Sequence, residues 1–337
     1  MKFSISIILL FFAFIGYGQT SENFMAKGQL EIEKKDYNTA IATFEECLNM
    51  DNNNAKAHFN KGYCYYMLAK YSSALVFYNK AISLDEKMTE AYYNRALTNQ
   101  ALKNYTFAEG DFYIHKQLNP NNDIVLLNLA NLYQEMNDYP KALENFSEYI
   151  AKHPNNTEIL KARALAYCEI DSTKKAIADY NLCFRINEND STLNILKGNT
   201  YYDAKLYQEA INEYNIALLY MPHNIEAKVN RADAYTALHL FDLAIQDYEN
   251  LLLKDKTNPE YFFNIGFCYI QQNKNKEAVE SFTKALWNEY ENFGQLLTFR
   301  GVAYNNLKMN TEACADWQKA YTAGFKEAAV YQNNYCK

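Results

Sequence analysis

Small, aromatic and polar positions recur along this chain at a fixed spacing. Written in blocks that begin at residues 21, 55, 89, 123, 157, 191, 225, 259 and 294, the sequence falls into register with itself at a period of 34, with one extra residue before the last block. The eighth position is small in every block: Gly28, Gly62, Ala96, Ala130, Ala164, Gly198, Ala232, Gly266 and Gly301. The twentieth is always Ala: Ala40, Ala74, Ala108, Ala142, Ala176, Ala210, Ala244, Ala278 and Ala313. The twenty-fourth is always aromatic: Phe44, Tyr78, Phe112, Phe146, Tyr180, Tyr214, Tyr248, Phe282 and Trp317. Each block holds about 14 helix-compatible residues, a short polar break such as Asn137-Asp138, a second run of similar length and a closing Asn/Asp/Pro turn.

Two helices per block follow. Small side chains at positions eight and twenty let the pair approach closely, and the aromatic at twenty-four fills the wedge toward the next block. Neither helix buries its apolar face alone, so the blocks must stack. The expectation is an all-α solenoid with one continuous core and no conventional domain boundary.

This pattern resembles the tetratricopeptide repeat family from residue 21 to about residue 327. The family's Tyr at position eleven appears as Tyr65, Tyr133, Tyr167, Tyr201, Tyr235, Tyr269 and Tyr304, and its closing Pro as Pro120, Pro154 and Pro222. Glu31 and Asn99 depart from the pattern at position eleven, and six blocks lack the closing Pro. The resemblance implies a right-handed α-solenoid superhelix of nine helix-turn-helix units, whose first helices line a concave groove. The expected layout is residues 1–18 as a signal peptide, 19–327 as nine tandem repeats and 328–337 as a C-terminal capping helix, the two ends being read from their own residues below.

A second pattern lies inside the first. Position seven is basic and position twenty-three acidic in the same five blocks: Arg95 with Asp111, Arg163 with Asp179, Lys197 with Glu213, Arg231 with Asp247 and Arg300 with Asp316. Where position seven is Leu129 or Ile265, position twenty-three is Asn145 or Ser281. This covariation predicts an ion pair between the two helices of a block. Lys27 and Lys61 face Thr43 and Phe77 and lack an acid at that position.

At the N-terminus, Lys2, the apolar stretch from Phe3 to Ile15 and the small residues Gly16 and Gly18 predict a cleaved secretory signal peptide. The protein is therefore expected to be exported, periplasmic or extracellular, with no transmembrane segment in its mature chain. At the other end, a last helical stretch follows Gly324 and supplies the polar cap that a helical stack needs. Antiparallel packing there would set Cys314 beside Cys336, and export permits a disulfide. The other cysteines, Cys47, Cys64, Cys168, Cys183 and Cys268, fall at packing positions, with Cys47 to Cys64 the only other pairing to consider.

Composition narrows the function. The formal charge of -7 has the wrong sign for gripping phosphates, so no nucleic-acid partner is expected. The sequence holds no metal-ligand spacing, phosphate loop or nucleophile elbow, and His58, His115, His153, His223 and His239 are scattered among the blocks. No cofactor, metal site or enzymatic activity is expected.

The resemblance assigns position six to the groove, where the family's Asn hydrogen-bonds the backbone of a bound peptide. Here those residues are Asn60, Asn94, Asn128, Asn230 and Asn264. Phe59, Tyr63, Tyr66, Tyr93, Tyr202, Phe263 and Phe267 add aromatic anchors, which makes blocks two to three and seven to eight the richest candidates. The basic residues of the family's carboxylate clamp are missing, and position two instead carries Glu22, Glu90, Glu158, Glu226 and Glu260, with Lys56 the exception. Such a lining favours a neutral to basic polypeptide segment. The expected function is a non-catalytic protein-interaction scaffold in an envelope or secretion-related assembly. The alternative is a cell-wall or carbohydrate-binding adaptor that stacks sugars on its tyrosines.

Overall fold

The computed structural model describes residues 20–188 and 190–336. The expected signal peptide lies outside the described residues. Among those described, the chain is built from α-helices alone, each block contributing two. The first four pairs are α1 (Ser21–Glu33) with α2 (Tyr37–Met50), α3 (Ala55–Met67) with α4 (Tyr71–Leu84), α5 (Thr89–Ala101) with α6 (Tyr105–Leu118) and α7 (Ile124–Glu135) with α8 (Tyr139–Lys152). The next are α9 (Thr157–Cys168) with α10 (Thr173–Ile186), α11 (Thr192–Asp203) with α12 (Tyr207–Tyr220) and α13 (Ile225–Ala237) with α14 (Phe241–Leu252). The last are α15 (Pro259–Gln271) with α16 (Asn275–Trp287), α17 (Phe293–Asn306) with α18 (Asn310–Thr322), and the cap α19 (Ala328–Tyr335).

The turn inside each block is built the same way. Position fifteen takes a left-handed conformation, from Lys35 (φ 60°) to Lys308 (φ 63°), although none of these residues is Gly. The backbone N–H that follows then reaches back to a carbonyl of the first helix, as from Asp36 to Glu31 (2.9 Å) and Leu206 to Tyr201 (2.8 Å). Turns between blocks use side-chain caps: Asn54, Asn156, Asn224 and Asn258 each accept from a backbone N–H of the helix they open.

Position eight is small because the ring at position twenty-four of the same block lies on it. A Cβ on Gly198 would come within 2.4 Å of the Tyr214 ring, and one on Gly301 within 2.5 Å of Trp317. The position-twenty Ala residues and nearly all of the position-twenty-four rings are completely buried.

The chain divides into two compact units, the first ending at Lys152 and the second beginning at His153. The 34-residue register runs across this division. The position-twenty-four rings also reach the following block, as expected: Tyr248 stacks on Tyr261 at 6.3 Å and Phe282 on Phe299 at 6.4 Å. Within the first unit, α2 packs on α3, α4 on α5 and α6 on α7; within the second, α10 packs on α11, α12 on α13, α14 on α15 and α16 on α17.

All five expected ion pairs are present. The N–O distances are 2.7 Å for Arg95–Asp111, Arg163–Asp179, Lys197–Glu213 and Arg300–Asp316, and 2.6 Å for Arg231–Asp247. Each Arg meets its Asp with two prongs, and the Asp side chains are nearly buried, so these are not solvated surface pairs. The same bases also cross to the preceding block: Arg95 donates to Asn79, Arg231 to Asn215 and Arg300 to Thr283. Lys61 uses that crossing to find an acid after all, pairing with Glu45 while its ammonium sits 4.5 Å from the Phe77 ring centre. Lys27 pairs with Glu31 along its own helix at 3.8 Å.

At the end of the second unit, α19 packs on α18. Tyr331 and Tyr335 lie over Trp317 with ring centres 5.4 and 5.8 Å away, and Cys314 is disulfide-bonded to Cys336 with Cα atoms 5.7 Å apart. By chain entropy, a cross-link 22 residues apart in sequence contributes about 3 kcal/mol. Cys336→Ser is therefore expected to speed amide hydrogen exchange in residues 328–335 at least tenfold. Exchange that is unchanged in the variant and unaffected by reductant would contradict this. Cys47 and Cys64 are not joined; both are free and buried, and Cys47 contacts Ser21 instead. Burial pushes the thiols of Cys64 up to about 12 and of Cys183 and Cys268 to about 11, which keeps them protonated and unreactive.

Candidate functional site

The first helices α11, α13, α15 and α17 of the second unit carry two adjoining clefts. One, of about 310 Å³, is lined by Asn199, Tyr202, Asp203, Tyr214, Asn230 and Asp233. The other, of about 320 Å³, shares Tyr202 and Asp233 and continues past Tyr248, Phe263, Asn264, Phe267, Gln295 and Phe299. Helical spacing explains the lining, because positions two, five, six, nine and twelve of a first helix fall on one face.

The floor of these clefts is a hydrogen-bonded lattice. Asn199 accepts from both Tyr214 and Asn230, each at 2.8 Å, and its own amide donates to Glu226 at 3.2 Å. One block later, the Tyr248 hydroxyl donates to Oδ1 of Asp233. Burial raises the pKa of Asp233, and the Tyr248 hydrogen bond only partly offsets the cost of holding the charge there. The Tyr202 hydroxyl is also pushed up, first by burial and then by the nearby Asp233. The walls are aromatic: Phe299 meets Phe263 and Phe267 edge to face at 5.9 and 5.5 Å, and Phe263 stacks on Tyr290 at 4.5 Å.

The sign of the Asp233 shift gives a test. A carboxyl whose folded pKa is raised binds its proton more tightly folded than unfolded, so its charged form costs stability above the raised value. That cost disappears as pH falls below the ordinary Asp value near 3.8. Asp233→Asn is thus expected to leave the urea midpoint at pH 7 unchanged or higher, with any difference gone by about pH 3. A midpoint lowered at pH 7 would show that the carboxylate is stabilising instead.

The expected site residues fall into two groups. Asn230, Asn264, Phe263 and Phe267 come together in the second unit's clefts. In the first unit, Phe59 lies against Tyr78 at 5.9 Å, Tyr63 against Tyr37 at 6.5 Å, Tyr66 against Tyr71 at 5.6 Å and Tyr93 against His115 at 5.0 Å. Asn94 donates to the Glu90 carbonyl (2.9 Å) and Asn128 to the Tyr93 hydroxyl (2.7 Å), so both amides are engaged with their own chain. Asn60 is only 6% exposed, and its amide nitrogen is buried without a partner. A first-unit cleft of about 420 Å³ lies elsewhere, around Leu75, Asn79, Arg95 and Phe107. Asn264 and Gln295 are the cleft amides whose side chains enter no hydrogen bond among the described residues.

Sequence reasoning missed Asn199 and Asp233, which stand at position nine. A signal was available: in these two blocks a polar position nine coincides with Tyr at position twenty-four, Tyr214 and Tyr248. Among the described residues, no group of three or more His, Cys, Asp or Glu is placed to share a metal ion, and no helix is long and apolar enough to cross a membrane.

Sequence models of the tetratricopeptide repeat match residues 21–54, 55–88, 125–156, 195–261 and 259–286, together more than half of the chain. Comparison with curated proteins finds no match. Among solved structures, the chain is similar to the C-terminal part of a TPR repeat-containing protein from Cytophaga hutchinsonii, at 15% identity and a TM-score of 0.63, over 72% of this chain and 99% of that one. It is also similar to the structure of Naa15/Naa10 bound to HypK-THB, at 15% identity and a TM-score of 0.56, over 93% of this chain and 50% of that one. At such identities the likeness is one of fold.

Proposed function

Because the chain belongs to the tetratricopeptide repeat family, whose repeats serve as protein-interaction scaffolds, we propose that it captures an extended polypeptide segment along the first helices of its second unit. The observation that carries this reading is the pair of adjoining clefts, where the free amides of Asn264 and Gln295 stand beside Tyr202, Phe267 and Phe299. An amide offers donors and an acceptor, so it can hold a peptide backbone without choosing its sequence. Aromatic walls supply the apolar anchorage that dominates such contacts. The half-buried Tyr63, Tyr66 and Tyr93 of the first unit are secondary candidates, whereas Asn60 is too buried to reach a guest. The scaffold has no turnover of its own in this reading. The charged and apolar pattern of residues 2–18 supports export and, with it, a role in an envelope or secretion-related assembly.

Purified protein and its Asn264→Ala, Phe267→Ser variant, immobilised in equal amounts, should differ in what they retain from an extract of the source cells. The expected result is at least one protein held by the parent and reduced about tenfold or more on the variant. Identical retention by both would refute the groove.

A further inference from the structure

The clefts of the second unit hold uncompensated negative charge. Asp203 lines the first cleft and Asp233 lines both, and no Lys or Arg lines either one. The basic side chains at position seven of the same helices are already committed, Lys197 to Glu213 and Arg231 to Asp247. Asp203 and Asp233 enter no ion pair among the described residues. Around Asp233 stand the rings of Tyr202, Tyr248, Phe263, Phe267 and Phe299. Tyr248 donates to Oδ1 and so fixes the carboxylate, leaving Oδ2 as its open acceptor.

We propose that the guest segment presents a lysine, its ammonium on Oδ2 of Asp233 and its four-carbon stem along Tyr202 and Phe267. This rests on the reading of the groove given above and adds to it the side chain that the groove selects. An ammonium on a flexible apolar stem suits a site with ring faces and one open oxygen. The planar fork of an arginine is matched by a carboxylate with both oxygens free, as at the Arg–Asp pairs of the repeat itself. A cation there also offsets the cost of holding the buried Asp233 charge. Asp203 at the neighbouring cleft draws the same charge toward the site.

The test uses random dodecapeptides displayed on phage and panned on the full chain. The expected result is enrichment of lysine among the retained peptides. A synthetic peptide of that set should weaken about tenfold or more when its lysine is acetylated, and by a similar factor against Asp233→Asn, which keeps an acceptor for Tyr248. The two changes combined should cost little more than either alone, since both remove one interaction. Retained peptides without lysine enrichment, enriched in arginine alone, or indifferent to acetylation and to Asp233→Asn, would overturn the lysine while leaving the groove intact. Peptides that bind the Asn264→Ala, Phe267→Ser variant as tightly as the parent, or no retained peptides at all, would overturn both.

Discussion

Trp317→Ala is expected to destabilise the last block by about 4 kcal/mol, within the range for removing a buried aromatic ring. The indole is fully buried, lies on the bare backbone of Gly301 and is covered by Tyr331 and Tyr335. Its Nε1 donates to the Thr298 carbonyl at 3.1 Å, satisfying the one polar atom the ring carries into the core. Three helices border the space it would vacate, and the disulfide between Cys314 and Cys336 holds two of them together, so collapse into the cavity is restricted. Trp317→Phe should cost less, about 2 kcal/mol or below, because Phe44 and Phe282 fill the same position in other blocks. Amide exchange in α17 to α19 gives the local stability of this block, which suits a repeat stack better than a single unfolding free energy. Equal protection in Trp317→Ala and the parent would contradict the packing described.

Arg231→Met should weaken the seventh block by about 3 kcal/mol, the lower end for breaking a buried ion pair, since the Arg side chain is 20% exposed. The loss arises from what stays behind. Asp247 is 4% exposed and would be left with no partner for either oxygen. Arg231→Met combined with Asp247→Leu should recover most of that loss, because desolvating the two ions offsets much of their mutual attraction. Exchange in α12 should respond along with α13 and α14, since Arg231 also donates to Asn215 at 2.7 Å. A double variant as unstable as the single one would mean that the pair contributes more than a well-packed apolar substitute.

The contrast between these variants and the groove shows which parts of the molecule the sequence made legible. Helix pairing was readable because the ring at position twenty-four and the small residue at position eight touch within one block, so the nine repeats report the same contact nine times. The ion pairs were readable for the same reason, as Leu129 with Asn145 and Ile265 with Ser281 vary together. The polar crossings from one block to the next were not. Glu45, Asn79, Asn215 and Thr283 all take the side chain of a following base, yet three different residue types fill the position. The division after Lys152 left the 34-residue register undisturbed. The amide ladder at position six reads alike in the sequence although its members differ in the fold: Asn94, Asn128 and Asn230 donate to neighbours, and Asn264 does not.

A photo-reactive phenylalanine analogue placed at position 267 in living cells, against the same analogue at the exposed Leu253, asks whether the wall of the second unit holds a guest. The account predicts discrete adducts from position 267, with the attached segment extended past Asn264 and Tyr202, and none in common with position 253. Adducts of equal yield and identity from both positions would contradict it.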